Sequence, residues 1–122
     1  MKTTERLERL APMGADGERV PRYIRCYDNG GETLDNFAVV YTRTHLRLGA
    51  ERYYTSVSMN DMPFFPSGIC QHGEYPRLID RPTSSHLGRR IPFSALPEDC
   101  RRVVLMDYAD LWDIPELAEE RR

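Results

Sequence analysis

Lysine is almost missing from this chain: Lys2 stands alone, and arginine carries the remaining positive charge. A planar guanidinium favours paired contacts with carboxylate or phosphate, although an arginine-rich code also follows from a GC-rich genome. An excess of either sign is missing too. With 17 basic and 19 acidic residues the formal net charge is -2, which argues against a general nucleic-acid binder. No apolar run approaches the length needed to span a bilayer, and the opening MKTTERLERLAPMG has no apolar centre like that of a signal peptide. A soluble, cytoplasmic protein with no membrane partner is expected. Cysteine is scarce and scattered at Cys26, Cys70 and Cys100. There is no CxxC pair and no even framework, which points to a reduced compartment. Internal repeats, low-complexity tracts and a second domain are also missing.

What is present suits one small domain. At 122 residues, 40% of them hydrophobic, the chain can bury one core. Residues 1–20 read as a flexible N-terminal arm, since Leu7, Leu10 and Met13 support a turn or two of helix before Gly14 and Gly17 break it. Residues 21–115 read as a single α+β domain and 116–122 as a charged tail. A first strand is expected over 21–27 and a turn at Asp28-Asn29-Gly30-Gly31. The β-branched and aromatic run FAVVYT gives a strand over 37–42. A loop is expected at 43–50. The next strand, over 52–59, places Tyr54, Ser56 and Ser58 on one face and Tyr53, Thr55, Val57 and Met59 on the other. Connections this short make an antiparallel meander. Residues 60–90 carry Pro63, Pro66, Pro76 and Pro82, so no long helix runs through them. Met62, Phe64, Phe65, Ile69, Leu78 and Ile79 make the segment too apolar for a free linker, and a long ordered loop over the sheet is expected. A short strand over 90–93 precedes a helix that opens with Pro97, Glu98 and Asp99, where proline loses no bond and acids suit the dipole. Its apolar face is Cys100, Val104, Tyr108 and Leu111, widened by Val103 and Trp112, and Pro115 closes it. The expected fold is therefore α+β: a small antiparallel sheet of three to four strands, a long ordered loop and one C-terminal amphipathic helix.

Chemistry-bearing residues concentrate in the long segment. Cys70, His72 and Glu74 lie within five positions, and Asp80 and His86 follow. His72, Glu74, Asp80 and His86 are the candidate catalytic set, as imidazoles and carboxylates suited to acid–base work. A zinc site needs three or four ligands. Cys26, Cys100, His86 and Asp80 complete one only if the fold gathers them, so no metal ligand is assigned and no cofactor is identified. The plain alternative is a turn in which His72 caps backbone groups. Arg77, Arg81, Arg89 and Arg90, with Tyr75, form a candidate binding surface for phosphate or an acidic partner, against the plain reading of a solvated face. Asp28 and Asn29 are further binding candidates in their turn. Of the pairs Tyr53-Tyr54 and Phe64-Phe65, one ring each is expected in the core and the other available to a partner.

Five short motifs add a resemblance: Tyr-Asp-Asn-Gly-Gly at 27–31, Gln-His-Gly at 71–73, Asp-Arg-Pro at 80–82, His-Leu-Gly at 86–88 and Leu-Pro-Glu-Asp-Cys at 96–100. Across residues 21–113 the chain resembles a family of small uncharacterised proteins encoded by bacterial phages, plasmids and integrated elements. Ser67-Gly68-Ile69-Cys70 departs from it where a Gly-Phe-Gly-like run is expected. The resemblance implies a mobile-element setting and no particular reaction. Three readings stand. The preferred one is a phage or mobile-element accessory protein acting by protein binding, against a host defence complex in the manner of an anti-CRISPR. The alternatives are a small hydrolase or nuclease with a His/Glu/Asp site, and a nucleic-acid-binding module using the arginine cluster. Oligomeric state is left open by the sequence.

Overall fold

Alternation of apolar and polar residues over Ile24–Asp28 (β1), Phe37–Leu48 (β2) and Glu51–Met59 (β3) builds the centre of an antiparallel sheet. The structure, a computed structural model, describes residues 3–65, 68–80 and 86–119, without the side chains at 3, 4, 46–48, 72, 77, 118 and 119. Ile69–Glu74 (β4) pairs outside β3, and Arg89–Ile91 (β5) pairs outside β1, giving the order β4-β3-β2-β1-β5. The fold is thus α+β with an antiparallel sheet, as expected, but with five strands among the described residues rather than three to four.

Two corrections explain the larger sheet. Residues 43–50 do not form a loop. β2 runs on to Leu48 after its register shifts between Tyr41 and His45, so a bulge hides the alternation that a continuous strand would show. A tight turn at Gly49-Ala50 then leads into β3. The long segment also contains β4. Its sequence ICQHGE has few β-formers and sits among prolines, and its pairing with β3 rather than its own propensity makes it a strand.

One face of the sheet carries the main core. Cys26, Val39, Tyr41, Val57 and Met59 meet the long helix Glu98–Leu111 (α3), which buries Cys100, Val103, Val104, Leu105, Tyr108 and Ala109. Leu111, expected on the apolar face, is exposed, and Leu105 is buried in its stead. The chain turns back after α3 through Ile114, and Pro115–Glu119 (α4) buries Leu117. Pro115 therefore opens a helix rather than ending the fold, and part of the segment expected as a charged tail lies in the core. There is accordingly more than one helix C-terminal to the sheet.

Residues expected in a loose arm pack as well. Thr3–Leu10 (α1) is too short to persist alone, but Leu7, Leu10 and Ala11 are buried in the same core. The Tyr108 hydroxyl donates to the Arg22 carbonyl at 2.5 Å, with the Leu10 carbonyl at 3.1 Å. Arg6 donates to the Trp112 carbonyl, and Arg19 pairs with Glu8 at 2.7 Å. Tertiary bonds thus hold what helix propensity cannot.

The opposite face of the sheet is covered more thinly. Tyr27, Ala38 and Val40 pack with Ile79 of the single-turn helix Pro76–Ile79 (α2), flanked by Tyr54 and Leu87. The chain returns over this face at Gly88, whose φ is +104°. A Cβ there would lie 2.4 Å from the Asp28 carbonyl oxygen, so only glycine permits the crossing. That crossing sets Leu87 and His86 against the sheet. No helix among the described residues is long and apolar enough to cross a membrane.

Candidate functional site

Strand register decides which candidate residues meet. Cys70, His72 and Glu74 pair with Ser58, Ser56 and Tyr54, alternate positions on β3. Directly opposed residues share a face, so the Cys70 and Glu74 side chains belong to the thinly covered face. His72 is fixed in the ladder by its backbone, and its side chain lies outside the described residues.

Glu74 is the buried member of this set, at 8% exposure. Its Oε2 lies 2.9 Å from Nε2 of His86, whose side chain is about half exposed. The two residues are twelve positions apart and meet because β4 flanks β3 and the chain returns over the sheet at Gly88. A carboxylate on one imidazole nitrogen fixes the orientation of the ring. Beside the pair lies a cleft of about 490 Å3, lined among others by Asn36, Ser58, Cys70, His86 and Leu87.

Asp80 lies on the same face but has different partners. It accepts from the Tyr54 hydroxyl at 3.1 Å and sits 3.5 Å from the Arg25 guanidinium, which also donates to the Ile79 carbonyl at 2.7 Å. Burial, then the hydrogen bond to Asp80, pushes the Tyr54 hydroxyl pKa up. Asp80 thereby secures the end of α2 to β1 and β3. Of the four catalytic candidates, the structure brings Glu74 and His86 into contact and places Asp80 in a neighbouring network.

The thiols do not converge. Cys26 and Cys100 are buried on the α3 side of the sheet, whereas Cys70 is exposed on the other side. Burial pushes the Cys26 and Cys100 thiols up to about 12 each, which leaves them protonated and inert at neutral pH. The zinc set considered from sequence is therefore not assembled, and no cluster of three or more His, Cys, Asp or Glu positioned to hold a metal occurs among the described residues.

Asp28 and Asn29 serve their own loop. Asp28 accepts from the Gly30 amide at 2.8 Å, Asn29 accepts from Gly31 at 2.9 Å and donates to Thr33 at 2.8 Å. The connection is longer than a tight hairpin, closing through the Asn29 amide on the Asn36 carbonyl at 2.9 Å. Arg89 and Arg90 are exposed on β5, with Arg89 3.9 Å from Asp28. Arg81 and the Arg77 side chain lie outside the described residues, so the arginine cluster is described only at its β5 end.

Sequence reasoning divided the aromatic pairs between core and surface, and the structure places both rings of Phe64-Phe65 outside. Phe64 is 50% and Phe65 62% exposed, with Met62 and Ile69 exposed beside them in sequence. Arg102 of α3 lies 5.3 Å from the Phe64 ring centre. Met106, one helical turn beyond Arg102 on α3, is also exposed. The signal was available in the sequence as a charge-free run: no Asp, Glu, Lys or Arg stands between Asp61 and Glu74.

Tyr53 and Tyr75 form a second aromatic feature, at the β4 edge. Their ring centres are 4.7 Å apart and their hydroxyls 3.2 Å apart. That hydrogen bond, followed by partial desolvation, pushes Tyr53 up to about 12.

No protein-family model matches the chain, and neither a curated protein nor a solved structure is similar to it.

Proposed function

We propose that the chain is a small binding protein that acts by docking on a protein partner, and that it serves a phage or other mobile element against a host defence complex such as a CRISPR effector. The observation that carries the binding reading is the exposure of Phe64 and Phe65 together, in a turn without charge and next to Arg102. Exposed groups of large apolar side chains often mark protein–protein interaction sites. Aromatic, methionine and arginine side chains are the types enriched in interface centres. The motif resemblance supports the mobile-element setting.

The test is plating of a phage that the host defence restricts, in cells producing the chain or its Phe64→Ala/Phe65→Ala variant. The proposal expects restriction to be relieved by the chain and restored by the variant at equal protein level. Relief that survives both substitutions contradicts it.

One observation favours a second reading, a small hydrolase. Glu74 and His86 form an oriented carboxylate–imidazole pair beside a cleft. Under that reading His86 takes a proton from water or from a substrate hydroxyl, and Glu74 stabilises the imidazolium. Hydrolysis of phosphodiester or ester substrates that is lost in His86→Ala would establish it.

A further inference from the structure

The two edges of the sheet are built differently. β5 is three residues long, carries exposed Arg89 and Arg90, and is followed by Pro92. Short length, charge and proline are the devices that keep a sheet edge from pairing. β4 has none of them. It is six residues long, it contains no proline, and its one formal charge, Glu74, is turned into the buried contact with His86. Among the described residues no strand lies on its outer side.

The ladder shows which backbone groups that outer side presents. The Asn60 amide donates to the Gly68 carbonyl, which makes residues 60 and 68 a hydrogen-bonded pair in the β3–β4 register. Hydrogen-bonded pairs alternate along an antiparallel ladder. Cys70, His72 and Glu74 therefore direct their amides and carbonyls to β3, and Ile69, Gln71 and Gly73 direct theirs outward.

We propose that β4 pairs antiparallel with β4 of a second copy of this chain, about a two-fold axis at Gln71. Three features fit a second copy. The outward set is symmetric about Gln71, so one register satisfies it: Gln71 opposes Gln71 as a hydrogen-bonded pair, and Ile69 opposes Gly73. The strand is self-compatible in charge, because a two-fold axis opposes residues of one short set and no charge of the run between Asp61 and Glu74 is repeated against itself. The side chains are complementary. A Cβ on Gly73 would lie 2.8 Å from Cβ of Tyr53, so the Tyr53 ring stem covers that position. The exposed Ile69 of one copy then meets an aromatic surface on the other. The sheets join into one, with both α3 helices on the same side. This edge adjoins the aromatic turn at Ile69, but the proposal rests on the β4 backbone and does not depend on the partner-docking reading.

Sedimentation equilibrium of the full chain tests it, with Gln71→Pro and Ile69→Lys. The Gln71 amide points away from β3, so proline there removes no ladder bond within one copy. The wild type is expected to be a dimer, with the dissociation constant raised about thirtyfold by Gln71→Pro, the loss of two backbone hydrogen bonds across the axis. Unchanged circular dichroism of the variant excludes unfolding as the cause. A second measurement fixes the register. Opposed Cα atoms of a hydrogen-bonded pair are about 5.5 Å apart, within disulfide range. Gln71→Cys in a Cys70→Ser background should oxidise rapidly to a covalent dimer, and the exposed control Leu34→Cys should not. A monomeric wild type, or a dimer that is indifferent to Gln71→Pro and not linked through Gln71→Cys, overturns the proposal.

Discussion

Leu10→Ala asks whether the N-terminal segment belongs to the fold. Leu10 is 2% exposed in the main core, and its carbonyl takes the Arg22 amide at 2.8 Å and lies 3.1 Å from the Tyr108 hydroxyl. Truncation removes the side chain and leaves a cavity that backbone bonds on both sides keep from collapsing. Leucine-to-alanine changes at such sites cost about 2–5 kcal/mol, and the poorly collapsing ones lie towards the upper half. A cost of about 4 kcal/mol is therefore expected, a large share of a small domain's stability. The assay is equilibrium urea unfolding followed by tryptophan fluorescence. Trp112 is a suitable probe because its ring centre lies 6.1 Å from that of Tyr108, tilted by 49°, and its carbonyl takes Arg6. The midpoint should fall with the slope unchanged. Leu34→Ala, at a residue 90% exposed, should shift stability by under about 0.5 kcal/mol. A Leu10→Ala loss as small as the Leu34→Ala loss would refute the reasoning, since it would mean that α1 is not packed.

Other outcomes follow from the same burial pattern. In the native protein a thiol reagent should modify Cys70 quickly and Cys26 and Cys100 slowly, with all three reacting in denaturant; mass spectrometry of the modified sites checks this. Tyr108→Phe should cost about 1 kcal/mol or somewhat more, because the part-buried Arg22 carbonyl loses its donor; urea unfolding measures it. Burial raises the Asp107 carboxyl above its ordinary range, with the Tyr41 hydrogen bond opposing this less strongly. The folded state thus holds the proton more tightly than the unfolded state. This contribution to stability is full below the unfolded pKa and is lost as pH rises through the raised folded one. Asp107→Asn should remove that decline and melt at a higher temperature than the wild type at neutral pH.

The central strands were legible because their periodicity reports one covered face. The predicted faces of β3 match the observed burial, with Val57 and Met59 in the core and Ser56 and Ser58 opposite. What escaped reading depends on distant partners. β4 is a strand because β3 lies beside it, and α1 is a helix because Tyr108 and Trp112 hold it. Leu117 is buried because the chain doubles back after α3, which no local pattern announces. The candidate site shows the same division. Sequence reasoning named Glu74 and His86, but grouped Glu74 with Cys70 and His72 by proximity in the chain. Its contact with His86 needs both the edge position of β4 and the crossing at Gly88. Phe64 and Phe65 were read as divided between core and surface, but the turn they occupy leaves both rings exposed.

The central claim is that the chain acts through a protein partner at its aromatic turn. The most direct measurement is biolayer interferometry of the purified chain against purified host defence effector complexes, with the Phe64→Ala/Phe65→Ala variant alongside and its fold verified by melting. Anchoring aromatics at an interface centre cost about 2 kcal/mol or more each on truncation. The account predicts saturable binding to an effector complex that weakens by about a hundredfold or more in the variant. Absence of binding, or binding of equal strength in the variant, would contradict it.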